Sequence, residues 1–231
     1  MTDNLHGQEN AQSDPSMMET DPLPPEDRKL LQNLASDDPQ KALDHIREKM
    51  ESVAEEFAQG RLNRAQFNAI YGHYGEQRSI IELLTERNPD TDAWKQVARP
   101  GRTTFLRSHF EARPTYYIIF RHRIQKPLYH DGEHPNDNIK HIVGGLRQLW
   151  SLKEIPNKGL ARKEIDANKW MVMAVGQYST TIVVFSLQPS NAQTALVNDS
   201  HRDFERANRI SLQRGVTSDR LVFPQKALLS Q

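Results

Sequence analysis

Four histidines, His122, His130, His134 and His141, fall inside one window of twenty residues. The run His130-Asp131-Gly132-Glu133-His134 sets imidazole and carboxylate donors side by side, the ligand types that hold zinc and related ions. A metal needs three or four such groups converging at about 2 Å. The H-x-x-x-H spacing would place both imidazoles on one helical face, yet Gly132 and Pro135 make this stretch a turn. His122, His130 and His134 therefore stand as the metal-ligand candidates. The expectation is a surface turn of titrating histidines, with no resident metal or cofactor.

Covalent chemistry has less to work with. The chain contains no cysteine, which excludes disulfides, thiolate metal sites and cysteine nucleophiles. None of G-x-S-x-G, S-x-x-K or H-E-x-x-H occurs. The run Gly144-Gly145-Leu146-Arg147 has neither the spacing nor the preceding strand of a phosphate or dinucleotide loop. The chain accordingly reads as non-enzymatic. Gly144 and Gly145 lie inside a predicted helix, where each costs roughly 1 kcal/mol relative to alanine. Such a pair is retained where another backbone comes close, so helix–sheet packing is the first reading and a dimer contact the second.

A band of arginines, Arg99, Arg102, Arg107, Arg113, Arg121 and Arg123, is interleaved with Phe105, Phe110, Tyr116 and Tyr117. Phosphate contacts combined with base stacking use such a pattern. With no recognised nucleic-acid-binding signature beside it, the aromatics are read as core anchors, and nucleic acid is not an expected partner.

These groups need elements to position them. Leu43, Ile46, Met50, Val53 and Phe57 are spaced by 3, 4, 3 and 4, one narrow stripe on a helix. Gly60 follows where a left-handed residue ends the helix. Asn63 then caps a second helix, with Gln66 reaching back to its amide and Leu62 stapling to Phe67. That helix carries Phe67, Ile70, Tyr74, Ile81 and Leu84, so two amphipathic helices should fold back on each other. Their seam is too narrow to be self-sufficient, which makes Leu62, Phe67, Ile70, Tyr74 and Ile81, with Gly144 and Gly145, the expected interaction residues.

After residue 114 the period changes to two. Residues 116–123 and 126–130 read as strands, and Asp137 can cap a helix carrying Ile139, Ile142, Val143, Leu146, Leu149 and Trp150. Residues 169–176 and 180–187 are nearly continuous apolar strands around the turn Gln177-Tyr178-Ser179, which implies burial at the sheet centre. Residues 160–168 can supply a further strand. Ser190-Asn191 caps a last helix, broken near 198–200, in which Glu205 and Arg209 form an i,i+4 pair on a solvated face. The apolar residues of 221–229 should pack back on the domain. The result is an α+β fold in the order β-β-α-β-β-α.

Hydrophobic residues make up 36% of the chain and charged residues 26%, a mixture that dilutes a compact domain with solvated helices and a tail. Residues 1–60 carry 5 Lys and Arg against 14 Asp and Glu, whereas residues 99–231 carry 20 against 11. The expected divisions are an acidic disordered tail (1–26), a helical hairpin (27–88) beginning with a short helix at 27–34, a connector (89–114), an α/β domain (115–215) and a C-terminal tail (216–231). No apolar run reaches the ~20 residues that span a bilayer, and the first residues lack the basic start and apolar stretch of a signal peptide. The expected compartment is the cytoplasm, with no membrane partner.

The string FAQGRLNRAQFNAIYGHY resembles the SHOCT-type short helical hairpin at Gly60, Leu62, Asn63, Gln66 and Phe67. That resemblance implies an interaction or oligomerisation module, although such modules usually sit at a C-terminus. The element order of the last part of the chain resembles the roadblock group of profilin-like domains, and longin-like and PAS-like domains share it. The roadblock resemblance implies dimerisation through sheet edges or helices and service as a scaffold or a regulator of small GTPases. The leading expectation is thus a non-catalytic regulatory or scaffold protein that self-associates and contacts other proteins. A PAS-like small-molecule sensor, with a pocket between the sheet and the 139–150 helix, is the alternative. A histidine metal site or enzyme is the third.

Overall fold

A computed structural model describes residues 38–99, 101, 103–133, 139–215 and 220–230. The expected tail at 1–26, the short helix at 27–34, the Asp137 cap and His134 lie outside the described residues. Helix α1 (Pro39–Ala58) starts at Asp38, whose side chain accepts from the Gln40 amide at 2.9 Å, with proline in the first turn. Gly60 ends it at φ +73°. Helix α2 (Arg64–Arg87) opens with the full capping box. The Asn63 side chain accepts from the Gln66 amide at 2.8 Å, and Gln66 Oε1 accepts from the Asn63 amide at 3.0 Å.

The two helices pack on each other along their whole length. Val53 meets Leu62 and Ile70 near the turn, while Ala42, Ile46 and Met50 meet Ile81 further along. The segment expected to be a featureless connector then closes the seam. It forms two short helices, α3 (Trp94–Val97) and α4 (Thr103–His109), which bring Trp94 and Ala98 onto one part of the seam and Leu106 onto the other. Leu62, Ile70 and Ile81 are 5%, 0% and 0% exposed, so three of the residues expected to face a partner are buried inside the chain. The reason is that Trp94 and Leu106 supply the apolar cover that the stripe alone lacked.

Polar groups fix this arrangement. The capping residues serve twice: Asn63 Nδ2 donates to the Phe110 carbonyl and Gln66 Nε2 to the Arg107 carbonyl, each at 2.8 Å. Arg107 grips Glu56 with both terminal guanidinium nitrogens, at 2.6 and 2.8 Å, and these bonds hold the Glu56 carboxyl below its usual range.

The sheet has five antiparallel strands in the order β2-β1-β5-β4-β3, comprising β1 (Pro114–Arg121), β2 (Pro127–Gly132), β3 (Gly159–Asp166), β4 (Lys169–Val175) and β5 (Ser179–Phe185). Alternation sorts the side chains onto two faces. Tyr117, Ile119, Val172, Ala174, Val183 and Phe185 share one core, and Tyr116, Ile118, Phe120, Met171, Met173, Val175, Ile182 and Val184 share the other. Strand β5 is buried at every position, which accounts for its continuous hydrophobicity.

Helix α5 (Ile139–Trp150) lies between β2 and β3 in sequence, and those strands form opposite edges of the sheet. The chain must therefore cross one face, and α5 packs Ile142 and Leu146 there. Helix α6 (Asn191–Arg214) covers the other face with Val197, Phe204 and Leu212. The Ser190–Gln193 capping box fixes its start and Gly215, at φ +73°, its end, and it runs unbroken through 198–200, where the buried Val197, His201 and Phe204 hold it on the sheet. The C-terminal segment packs back as expected: Phe223 stacks on Tyr129 and Phe204, and Asn208 exchanges hydrogen bonds with the Val222 amide and carbonyl. A short 3-10 helix (Pro224–Leu228) completes this layer. No helix among the described residues is long and apolar enough to cross a membrane.

The α1–α2 turn touches the α6 start directly, for the Ala192 amide donates to the Gly60 carbonyl at 2.9 Å. A Cβ at Gly60 would lie 2.6 Å from Asn191 Cβ and would also face an unfavourable φ. Gly60→Ala should therefore destabilise the protein by roughly 1–3 kcal/mol. Ile70→Ala, which opens a cavity at a fully buried site, should lower stability by about 2–4 kcal/mol in urea denaturation.

Candidate functional site

The helix that crosses the sheet is narrower than the sheet. Four inter-strand steps make a face about 19 Å wide, whereas a helix with its side chains is about 10–12 Å across. A gap remains on each flank of α5. Toward β1 and β2 it is a cavity of about 380 Å³, a size typical of small-molecule sites. Strand alternation turns Tyr116, Ile118 and Phe120 into it, and β2 adds Pro127 and His130, the latter opposite Ile118 in the register. Ile142, Val143, Leu146, Arg147 and Trp150 come from one side of α5, at helical spacing, and Gln125 comes from the β1–β2 turn. Phe120 meets Trp150 edge-on at 6.0 Å, and Tyr116 lies beside His130 at 6.1 Å between ring centroids.

The electrostatics of this lining are one-sided. Arg147 contributes the cation, and no aspartate or glutamate takes part among the described residues. Burial raises the Tyr116 phenol above its ordinary value, which keeps it protonated and uncharged at neutral pH. The Trp150 indole N–H is buried without an acceptor among the described residues.

On the other flank a groove of about 400 Å³ runs between Gly144, Gly145 and Gln148 and the side chains Ala161, Lys163, Met171 and Met173. The two glycines differ. A Cβ at Gly145 would lie 3.1 Å from Met173 Cε, so this position serves close helix–sheet packing. Nothing lies within 4 Å of a Cβ at Gly144, which is exposed.

A second cluster of chemical groups sits under α6. Glu205 accepts from the amides of Gln177, Tyr178 and Ser179 and from the Ser179 hydroxyl, all at 2.8 Å. Its carboxylate thus caps the β4–β5 turn, in the manner of an anion in a ring of backbone donors. His201, one turn earlier, places Nδ1 2.8 Å from Thr181 Oγ1 and Nε2 4.0 Å from Glu205. Hydroxyl, imidazole and carboxylate in sequence are the parts of a nucleophile relay. Here Thr181 is 0% and His201 1% exposed, so no substrate reaches them and the cluster acts as a structural latch. Burial pushes the His201 pKa down to about 4 and lowers that of His122 as well.

The remaining sequence candidates separate. His122 Nε2 lies 2.9 Å from the Ser179 carbonyl oxygen, whereas His130 lies four residues further along the ladder, opposite Ile118. That offset is roughly 13 Å, far beyond a shared metal ion. Among the described residues no group of three or more His, Cys, Asp or Glu can hold a metal. Phe67 and Tyr74 lie half-buried at the edge of the α1–α2 seam. In the arginine band Tyr116 and Tyr117 point into opposite cores, and Arg107 is taken by Glu56. Glu205 is not part of a solvated i,i+4 face. Its partners lie 26 to 28 residues away, and only the turn residues Gln177-Tyr178-Ser179 hinted that an acceptor was needed.

The latch generates two expectations. Glu205→Ala leaves three turn amides without their acceptor and should destabilise by about 3 kcal/mol, read from urea midpoints. The His201 pKa is about 4 in the folded state and near 6.5 when unfolded, so between those values the unfolded chain binds the extra proton. Stability should be complete above pH 6.5 and fall as pH drops toward 4, by on the order of 3 kcal/mol. In His201→Gln the slope between pH 6.5 and 4.5 should shrink.

No protein-family model matches the chain, and neither a curated protein nor a solved structure matches it significantly.

Proposed function

We propose that this chain is a non-enzymatic regulatory or scaffold protein that works through protein–protein contacts, self-association first among them. The observation that carries this reading is the incomplete cover of one end of the sheet. Strand β3 is a sheet edge bonded only to β4, and five consecutive residues of it are exposed. Beside it lies the groove under Gly144. Edge and groove together offer a continuous surface on which a second copy can extend the sheet and fill the gap beside α5. The structure bears out an α+β fold with an antiparallel five-stranded sheet, while the roadblock assignment, and with it a small GTPase as partner, rests on the sequence resemblance alone. The SHOCT-like role of the α1–α2 pair is narrower than its sequence implies, since the seam is closed from within. Exposed Phe57, Tyr71, Ile80 and Leu83 are what the pair still presents.

One specific observation favours a second reading. The cavity between β1, β2 and α5 is where a small-molecule sensor would hold its ligand, and the same domain can do both if occupancy of one flank of α5 shifts the other.

The self-association reading predicts a dimer in size-exclusion chromatography with light scattering at micromolar concentration. Gly144→Lys adds bulk and charge at an open position and improves helix propensity by up to about 1 kcal/mol. It should convert the dimer to a monomer without lowering the melting temperature. A wild-type monomer, or a variant that remains dimeric, would remove this surface from the proposal.

A further inference from the structure

We propose that the cavity between α5 and strands β1 and β2 binds a small aromatic carboxylate, with its ring among Ile118, Phe120 and Trp150 and its carboxylate at Arg147. This inference rests on the sensor reading above and names the ligand class.

Size comes first. At about 30 Å³ per water, 380 Å³ holds the equivalent of a dozen waters, room for one or two fused rings rather than a nucleotide or a peptide. Shape comes next. The walls are Tyr116, Phe120 and Trp150 with Ile118, Ile142 and Leu146, so flat rings meet flat or branched apolar surface on several sides. Phe120 and Trp150 are set edge to face, so the cavity wall presents two aromatic rings steeply inclined to each other.

Charge then selects the head group. Arg147 lines the cavity, is exposed, and makes no side-chain hydrogen bond or ion pair among the described residues. No acidic side chain among the described residues lines the cavity to compete for it. A guanidinium in that position matches a planar carboxylate with two parallel hydrogen bonds, and Gln125 adds a neutral donor at the same cavity. With the Arg147 guanidinium and the Gln125 amide as donors and no carboxylate among the described lining residues, the cavity favours an anion over an amine.

The test uses the full chain and three probes: naphthalene-2-carboxylate, its neutral counterpart 2-naphthol, and octanoate. Binding is read by titration calorimetry and by amide shifts in two-dimensional NMR. Naphthalene-2-carboxylate should bind saturably and move amides of β1, β2 and α5. Arg147→Gln should weaken it about tenfold, the loss of one bidentate charged contact. Val143→Trp, which fills the cavity from a half-exposed position, should abolish binding while circular dichroism stays unchanged. If 2-naphthol binds as tightly and Arg147→Gln has no effect, the anion assignment falls and the sensor reading survives. If octanoate binds and the aromatic acid does not, the ring assignment falls. If no probe shifts β1, β2 or α5 in the wild type, both the ligand class and the sensor reading are overturned.

Discussion

A five-stranded sheet buried on both sides needs cover for two faces of equal width, and this chain supplies very unequal cover. Helix α6 has 24 residues and is joined on its side by the C-terminal segment, whereas α5 has 12 and, among the described residues outside the sheet, is joined only by Ile155. The inequality follows from connectivity. Strand β2 ends at one edge and β3 begins at the other, so a single crossing has to serve as the whole layer. Apolar residues of β1 and β4 then sit under gaps on either flank of α5. The cavity and the groove, the two gaps on this face of the sheet, both trace to that crossing.

The opposite face shows what full cover requires. Turns leave backbone amides that must find acceptors, and an unsatisfied buried amide is worth more than the average gain from a hydrogen bond. Glu205 meets this demand for three amides at once, and Gly176 is the residue that lets it approach, since a Cβ there would collide with the carboxylate. Asn63 and Gln66 follow the same logic at the α2 start. Having satisfied each other's helix end, they use their remaining donors on the Phe110 and Arg107 carbonyls. Local caps thereby become tertiary ties, and the α1–α2 pair is fixed to the segment that leads into β1.

Features governed by local periodicity were legible in the sequence. The capping box at Asn63, the helix cap at Ser190, the left-handed Gly60, the burial of 180–185 and the return of the last residues all follow from neighbours within a few positions. What escaped were long-range partners. Nothing around Glu205 distinguishes a carboxylate aimed at a distant turn from one paired with Arg209. Likewise Trp94 and Leu106 lie in a stretch without periodicity, because helices of four and seven residues are too short to show one. The break expected at 198–200 failed because Asn198, Asp199 and Ser200 are merely weak helix formers, and burial of Val197, His201 and Phe204 outweighs that weakness. The cavity was visible only as a general consequence of one helix on a sheet, and its lining needed the register that sets His130 beside Ile118.

Closing the seam from within also moves the functional weight of the molecule. An amphipathic stripe that finds no cover in its own chain must find it in another, which is why the α1–α2 pair first reads as a docking element. With Trp94, Ala98 and Leu106 in place, that demand is met at Ile70 and Ile81, and the stripe explains stability rather than binding. The demand left over is on the sheet, where Tyr116, Ile118 and Phe120 on one flank of α5 and Met171 and Met173 on the other line space that the chain itself does not fill. Apolar surface beside a cation on the first flank calls for a small anion with an apolar body, and apolar surface beside an open strand edge on the second calls for another strand. Because the two flanks belong to one short helix, the shape of the cavity on one side and of the groove on the other both depend on where α5 sits on the sheet.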